Sequence, residues 1–321
     1  MTELDTTELD VVTFGELLAV VEPFDVGSDL ASSPMLRKSI GGSEVNVALC
    51  LARLGHRVGW AGAVGDDPFG REGLHTLRGA GVDVSRVVVD RSAPTGMYFK
   101  EVLPLGGLHN HPYRTGSAAS RLTLRDIDLG YLLSGRLLHL TGITAVISAA
   151  GHELISHLLD SAHPRGVHVS VDGNVRRGLL RGRDVQQVLA PLVQRADTLF
   201  LSTSEAMSLL GTDDPDQLRK QLPTLGATTV LLHDRHGAWA ITADDICQVS
   251  AREVDVVDPT GAGDAFAAGY LSGWLDGSPM PERLRRAEQC AAYAVASRGD
   301  NPVYLPRSVR GPAGEEEGDS R

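Results

Sequence analysis

A glycine-containing loop that ends in an acid stands out in the sequence: residues 257–266 read VDPTGAGDAF. Gly261, Ala262 and Gly263 come directly before Asp264, and a run of helix formers follows the acid. The amino terminus of a helix exposes unpaired N–H groups and the positive end of the helix dipole. Glycines allow a phosphate to approach such N–H groups closely. The segment therefore predicts an anion cradle with an ionised aspartate in the first helical turn.

This arrangement suits phosphoryl transfer. Asp264 could accept the proton of an alcohol whose oxygen attacks a phosphate held by the N–H groups. A glycine-rich turn with an ordinary first-turn acid is the alternative. Two other nucleotide motifs do not match, because Phe266 stands at the third glycine position of G-x-G-x-x-G and no lysine completes G-x-x-x-x-G-K-[ST]. The chain has only three lysines, Lys38, Lys100 and Lys220.

Short apolar runs alternate with helical patterns along the chain. A helix is predicted from about Ser43 to Leu54, and strands are predicted at 11–20, 57–65, 136–143, 167–174, 198–202 and 228–234. This alternation predicts an α/β fold with a mainly parallel sheet covered by helices on both faces. Residues 90–118 differ, because their alternation and glycines indicate antiparallel strands in a small appended sheet or lid.

Composition narrows the class of protein. The net charge of −11 argues against a nucleic-acid partner, because proteins that bind nucleic acids usually present a basic face. The sequence contains no run of about 18 apolar residues, so no membrane span is predicted. The acidic start MTELDTTELD does not resemble a signal peptide. Cys50, Cys247 and Cys290 are far apart and form no C-x-x-C motif, which indicates reduced thiols and a cytoplasmic protein.

Three segments, in this order and spacing, resemble the ribokinase-like (PfkB) sugar kinases: GGSEVNVALCLARLG at 41–55, WAGAVGDDPFG at 60–70 and DPTGAGDAFAAGYL at 258–271. The resemblance covers roughly residues 11–305. It implies a central twisted sheet flanked by helices, a small β lid over the sugar, and MgATP as the phosphoryl donor. The implied organisation is a flexible acidic tail at 1–9, a kinase domain at 10–306 with lid segments near 17–40 and 92–118, and a disordered tail at 307–321.

The resemblance also implies roles for individual residues. Asp264 would be the general base, and the N–H groups of Gly261, Ala262 and Gly263 would form the anion hole. The sugar would lie against Gly41, Gly42 and Asn46. On the nucleotide side the implied residues are Ser202, Glu205, Asp234 and Gly237, together with Gly261 and Gly263 of the anion hole.

Two cation sites follow from the same resemblance. Glu205 would help to organise Mg²⁺ through water. Asp258 and Thr260 match positions near which some relatives bind a monovalent cation, which makes K⁺ a candidate cofactor. Asp234 stands where the family usually has glycine, and aspartate tolerates a left-handed backbone better than most other residues.

Three further stretches resemble the 2-keto-3-deoxygluconate kinases within this family: PTGMYFKEVLPLG at 94–106, PYRTGSA at 112–118 and DGNVRR at 172–177. Arg176 matches the position that receives the acid, whereas Tyr98, Tyr113 and Arg114 match lid positions that contact the substrate. A guanidinium group suits a sugar carboxylate because it forms two parallel hydrogen bonds. Pro112 departs from the aromatic residue of close relatives.

The expected reaction is therefore phosphorylation of the 6-hydroxyl of 2-keto-3-deoxygluconate by ATP. Fructose, ribose, 5-keto-2-deoxygluconate or a nucleoside remain alternative acceptors. A protein of the same fold that binds sugar or nucleotide without turnover is the alternative of another class. The expected partners are a sugar acid and ATP, with no nucleic acid and no membrane, and the apolar face of the lid makes a homodimer plausible.

Overall fold

The computed structural model describes residues 9–25, 27–102, 108–180, 182–300 and 309. The strands are β1 (Val11–Phe14), β2 (Leu18–Pro23), β3 (Leu36–Gly41), β4 (Val58–Ala61), β5 (Ala63–Gly65), β6 (Val88–Asp90), β7 (Gly96–Val102), β8 (Leu108–Tyr113), β9 (Leu137–Thr141), β10 (His168–Asp172), β11 (Thr198–Ser202), β12 (Thr229–Asp234), β13 (Gly237–Ile241) and β14 (Ile246–Ser250). The α-helices are α1 (Ser43–Arg53), α2 (Pro68–Gly79), α3 (Leu129–Leu132), α4 (Gly142–Ile147), α5 (Ala149–Ala162), α6 (Arg177–Leu180), α7 (Val185–Val193), α8 (Thr203–Leu210), α9 (Pro215–Leu225), α10 (Ala262–Leu275) and α11 (Met280–Val295).

The central sheet has the strand order β14-β13-β12-β11-β10-β9-β1-β4. The six strands from β12 to β4 run parallel, and β13 and β14 add an antiparallel edge. The predicted α/β class, with a mainly parallel sheet flanked by helices, is confirmed. The carboxyl ends of β9, β10, β11 and β12 therefore lie along one edge of the sheet, where such folds place their ligands.

Helices cover both faces of the central sheet. Neighbouring residues of β11 point to opposite faces, so that Leu199 packs into one apolar cluster with α5, α7 and α9, while Phe200 packs into the other with α1, α10 and α11. Strands buried on both faces explain the short, almost entirely apolar runs of the sequence.

Two of the predicted strands are each divided in the structure. The run 11–20 becomes β1 in the central sheet and β2 in a second sheet, and the run 57–65 becomes β4 and β5. The breaks fall at Gly15 and Gly62, which lie against each other: a Cβ on Gly62 would be 2.3 Å from the Gly15 carbonyl oxygen. A one-dimensional apolar pattern cannot show where a chain leaves one sheet for another.

The second sheet, called the lid sheet here, has the order β3-β2-β7-β8. Apart from Gly41 at the end of β3, its strands lie within the segments predicted for the lid, and β7 and β8 form an antiparallel hairpin. The wider domain limits stay predictions, and the predicted tails lie almost wholly outside the described residues. No helix of the described residues is long and apolar enough to cross a membrane.

Candidate active site

The amino terminus of α10 opens onto a cleft at the carboxyl edge of the central sheet. Gly261 precedes the helix with a φ of 79°, and no side chain caps the first turn. A Cβ on Gly261 would lie 1.8 Å from the carbonyl oxygen of Asp300, so no other residue fits there without a shift of the chain. The first N–H groups of α10, which include those of Ala262 and Gly263, therefore have the uncapped geometry that an anion needs.

Asp264 lies in the first turn of α10 and is 8% exposed. Two residues of the first turn of α1 hold its carboxylate: the Ser43 hydroxyl donates to Oδ1 at 2.5 Å, and the Asn46 amide donates to Oδ2 at 2.7 Å. Asn174 donates in turn to the Ser43 hydroxyl at 2.9 Å. The carboxylate is thus fixed by a chain of hydrogen bonds rather than left to rotate.

The environment of Asp264 also changes its acidity. Burial raises the pKa of this carboxyl, and the hydrogen bonds from Ser43 and Asn46, with the positive charge of Arg176, offset part of that rise. A carboxylate with a raised pKa accepts a proton more readily than an exposed aspartate, which suits a general base.

The cleft beside Asp264 has a volume of about 500 Å³. It brings together most of the residues predicted for the sugar and the anion hole. Among its lining residues are Leu18, Gly42, Ser43, Asn46, Tyr98, Asn110, Pro112, Arg114, Ile143, Arg176, Thr260, Gly261, Asp264 and Asp300.

The two predicted substrate arginines differ in their surroundings. Arg176 lines the cleft just after β10, is exposed, and within the described residues forms no ion pair or side-chain hydrogen bond. Arg114 also lines the cleft, but its guanidinium group pairs with the buried carboxylate of Glu16. Burial raises the pKa of Glu16, and Arg114 and the Ser117 hydroxyl counter that rise. Arg176 is therefore the freer of the two cations.

The lid sheet brings Tyr98 to the cleft but not Tyr113. Paired residues of an antiparallel hairpin share a face, and Tyr98 pairs with Pro112 on the cleft side. Tyr113 is 64% exposed and packs edge-on against Phe99 with ring centroids 5.4 Å apart. The predicted contact of Tyr113 with the substrate is not supported by this placement, because the strand alternation turns its ring away from the cleft.

The two glycines before α1 are required by close packing. Gly42 has a φ of 118°, and a Cβ there would lie 2.1 Å from the Glu16 carbonyl oxygen. A Cβ on Gly41 would meet a carboxylate oxygen of Asp300. Gly42 lines the cleft, whereas Gly41 lies behind it, against Asp300.

Of the predicted nucleotide residues, Gly261 lines the cleft, whereas Ser202, Glu205, Asp234 and Gly237 lie outside its lining. Ser202 and Glu205 form a capping box at the start of α8. The Glu205 carboxylate also accepts a hydrogen bond from the N–H of Val175 at 2.6 Å. Glu205 thus joins the loop after β10 to the end of β11, and its lone pairs retain the capacity to accept from metal-bound water.

Asp234 ends β12 and pairs with Gly237 across a two-residue turn to β13. The Asp234 carboxylate accepts hydrogen bonds from the N–H groups of His236 at 2.7 Å and Gly237 at 3.1 Å. Among the described residues other than glycine, a positive φ is found only at Asn174, so Asp234 needs no left-handed backbone. Its departure from glycine is explained by the turn that it stabilises. A Cβ on Gly237 would lie 2.2 Å from the Val249 carbonyl oxygen.

Asp258, one of the two residues predicted at a monovalent cation, already has a cationic partner. The Lys100 ammonium group lies 2.7 Å from Asp258 Oδ2, and the N–H of Thr260 donates to Oδ1 at 3.0 Å. Burial acts to raise the pKa of Asp258, but the Lys100 charge and the hydrogen bonds hold it below its usual value. The carboxylate that a K⁺ ion would need is therefore engaged, and the residues present do not fit that ion.

Sequence reasoning missed several polar residues of the site. Asp172 ends the buried strand β10 and Asn174 follows it, and burial together with the charges of Glu205 and Asp264 raises the pKa of Asp172 well above its usual value. Their position at the end of a predicted parallel strand was an available signal. Lys100 and Asp300 were also missed as site residues, because their partners come from distant parts of the chain.

Comparison with known proteins identifies the family of the chain. The model of the pfkB family of carbohydrate kinases matches residues 8–306. A 2-dehydro-3-deoxygluconokinase of Bacillus subtilis is 34% identical over 297 residues, which is 91% of each chain. One of Thermoproteus tenax is 32% identical over 295 residues, which is 89% of this chain and 90% of the relative.

Among solved structures, a PfkB protein from Polaromonas sp. JS666 is 34% identical and superposes with a TM-score of 0.82, covering 91% of this chain and 97% of that chain. The family match at 8–306 includes every strand and helix from β1 to α11. The chain belongs to the pfkB family of carbohydrate kinases, and it is a sugar kinase.

Proposed function

We propose that the protein transfers the γ-phosphoryl group of ATP to the primary 6-hydroxyl of 2-keto-3-deoxygluconate, also called 2-dehydro-3-deoxygluconate. The observation that carries the kinase mechanism is the buried Asp264 carboxylate, held by Ser43 and Asn46 beside the uncapped amino terminus of α10. The acid sugar is supported by the names of the two relatives above and by the unpaired Arg176 in the cleft.

In the proposed reaction Asp264 takes the proton of the 6-hydroxyl as that oxygen attacks the γ-phosphorus. A new oxygen–phosphorus bond forms, the bond from the γ-phosphorus to the bridging oxygen breaks, and ADP leaves with the bonding electrons. The N–H groups of Gly261, Ala262 and Gly263 are proposed to stabilise the charge on the transferred group. Because they are fixed by the helix, they need no reorganisation during the reaction.

Mg²⁺ would supply positive charge at the phosphate oxygens of ATP. The residues present fit it, because Asp172, Glu205 and Asp264 are close enough for their charges to interact unfavourably, and a divalent cation nearby would relieve that repulsion. No three acidic, histidine or cysteine residues among those described form a complete metal site. Asp172 and Glu205 would therefore hold the ion together with water and the phosphate groups of ATP, since Mg²⁺ usually keeps several waters and needs only one or two protein carboxylates.

The specificity for an acid is proposed to depend mainly on Arg176. Its guanidinium group is exposed in the cleft and can pair with a carboxylate without breaking an existing ion pair within the described structure. Arg114 contributes from the lid side, but half of its bidentate capacity already serves Glu16. A neutral sugar would offer the guanidinium group of Arg176 no carboxylate to bind.

The test is a coupled ADP-release assay with MgATP on 2-keto-3-deoxygluconate, 5-keto-2-deoxygluconate, fructose, ribose and a nucleoside. Turnover confined to 2-keto-3-deoxygluconate is the expected result. Turnover on a neutral sugar instead would refute the acid-sugar assignment and leave the kinase mechanism in place. Binding of ATP or sugar without turnover of any acceptor would favour the alternative of a binding protein with this fold.

We also propose that two copies pair through the lid sheet and that the enzyme works in the cytoplasm. The pairing is supported by large apolar side chains exposed on or next to the lid strands: Phe24, Met35, Leu36 and Tyr113. The compartment is supported by the use of ATP and by three free cysteines. Light scattering of the purified protein, and of a Leu36→Glu variant, tests the pairing: the variant should be monomeric. Cell fractionation tests the compartment.

A further inference from the structure

Lys100, on β7 of the lid sheet, is fully buried. Its ammonium nitrogen lies 2.7 Å from Asp258 Oδ2, 2.9 Å from Asp300 Oδ1 and 3.6 Å from Glu22 Oε2. An ammonium group has three N–H donors, and three carboxylates surround this one. The contacts join the lid sheet to two segments that meet at the α10 amino terminus. Asp258 precedes that helix in sequence, and Asp300, which follows α11, lies against Gly261.

The partners of Lys100 hold the turn that begins α10. Asp258 Oδ1 accepts the N–H of Thr260 at 3.0 Å, and Asp258 Oδ2 also accepts the N–H of Gly299 at 3.2 Å. The carbonyl oxygen of Asp300 packs directly on Gly261. Lys100 thus contacts Asp258 and Asp300, and each of these residues contacts the turn that forms the proposed anion hole. Its side chain does not touch the reacting atoms, so its role is positioning.

Strand alternation explains why a lysine can be placed here. Gly96, Tyr98 and Lys100 occupy alternate positions of β7 and are its buried residues. Tyr98 donates its hydroxyl proton to the second carboxylate oxygen of Asp300. The lid strand therefore holds both oxygens of Asp300, one through Tyr98 and one through Lys100.

A monovalent metal ion at Asp258 would meet a positive charge that is already in place. Two cations at one buried carboxylate repel each other strongly, because little water is present to screen them. A monovalent ion bound here would place a buried positive charge among acidic side chains, next to the phosphate-binding turn. The Lys100 ammonium group already provides this arrangement of charges. The cationic position is filled by a side chain.

We propose that the Lys100 ammonium group replaces a monovalent metal ion, so that it orders the 258–261 turn and the enzyme needs no K⁺ or Na⁺ for phosphoryl transfer. This inference rests on the proposed kinase function, since the turn that Lys100 orders is the proposed anion hole.

The first test needs no variant. The wild-type rate is measured in tetramethylammonium chloride and then with KCl or NaCl at the same ionic strength, with Mg²⁺ present throughout. The expected rates agree within about twofold, the variation that general salt effects cause. Activation of more than about tenfold by KCl would overturn the proposal, because an effect of that size is typical of a specifically bound effector.

The second test removes the ammonium group. Lys100→Ala leaves space at the carboxylates, whereas Lys100→Met fills a similar space without a charge. Both should lose roughly 100-fold or more in kcat in tetramethylammonium chloride, because a buried carboxylate group is left uncompensated. KCl should restore at least about tenfold of this loss in Lys100→Ala by binding at the vacated position, and much less in Lys100→Met. Wild-type kcat in Lys100→Met would contradict the proposal.

Thermal unfolding gives a readout that does not depend on turnover. KCl should raise the Tm of Lys100→Ala relative to tetramethylammonium chloride, because a specific ion stabilises the state that binds it, and it should leave the wild-type Tm unchanged. An equal KCl effect on both proteins would count against the proposal. These comparisons use whichever sugar the wild type phosphorylates, so a wrong acceptor assignment fails in the sugar assay and leaves the cation result readable.

Discussion

The Ser43 hydroxyl donates a 2.5 Å hydrogen bond to Asp264 Oδ1 across 221 positions of sequence. The bond joins the first turn of α1 to the first turn of α10, so two helix amino termini meet at one carboxylate. The positive ends of both helix dipoles thus favour the ionised form of Asp264, while burial disfavours it. The pKa of the proposed base is therefore set by opposing effects of burial and of helix dipoles and hydrogen bonds, and these effects can be tested separately.

Replacing Asp264 with asparagine should lower kcat by roughly 10²–10⁴ while ATP affinity stays near that of the wild type. Asparagine keeps the size of the side chain but cannot accept the proton of the sugar hydroxyl. Steady-state rates and ATP titration by calorimetry measure the two quantities. A kcat equal to that of the wild type would remove Asp264 from the role of general base, and circular dichroism must first show that the variant is folded.

Replacing Ser43 with alanine should lower kcat by about tenfold, the value of one hydrogen bond to a charged group. The bond from Ser43 lowers the pKa of Asp264, so its loss should raise that pKa and move the acidic limb of the pH–rate profile to higher pH. A merely structural role would lower the rate without this shift. Ser43→Thr retains the hydroxyl and should keep the acidic limb near its original position.

Replacing Arg176 with alanine should raise the KM for the acid sugar by roughly 10- to 100-fold, because a charge-assisted contact with the carboxylate is lost. The KM for ATP should change little. Arg219→Ala, on the surface of α9 where Arg219 pairs with Asp216, is the matched control and should behave like the wild type. An equal loss for both variants, or a loss in kcat alone, would contradict a binding role for Arg176.

The sequence was informative where a local pattern carries the chemistry. The turn at Gly261 and the acid at Asp264 lie three positions apart, and the physics of a helix amino terminus connects them directly. The mainly parallel sheet followed from short apolar runs between helices. Asp172 could have been found in the same way, since it ends a predicted parallel strand at the edge where ligands bind.

The remaining features depend on contacts between distant segments. The alternation of β7 suggests that Lys100 shares a face with Tyr98, but Asp258 and Asp300 are 158 and 200 positions away. Arg114 reads as a free cation until the fold buries Glu16 beside it. Tyr113 lies one position from a cleft-facing residue, and a shift of one residue in a strand reverses the face. Such contacts require the three-dimensional register of the lid sheet.

A last prediction concerns stability and a buried carboxyl next to the site. Glu44 on α1 is 1% exposed, and burial raises its pKa from 4.5 to about 7 although Thr141 and Thr144 donate hydrogen bonds to it. A carboxyl with a raised folded pKa binds more protons in the folded than in the unfolded state between these two values. Its contribution to stability is therefore complete below pH 4.5 and is lost as the pH rises through about 7.

Glu44→Gln should remove this loss, because glutamine resembles the protonated acid and does not ionise. Relative to the wild type, its free energy of unfolding should increase by about 2–3 kcal/mol between pH 5 and pH 8, from the linkage between pKa and stability. Urea unfolding at both pH values measures this difference, and other titrating groups such as His139 cancel between the two proteins. Glu153→Gln, at an exposed position of α5, is the control and should show no such trend. A stability difference for Glu44→Gln that is the same at both pH values would show that Glu44 is ionised throughout this range.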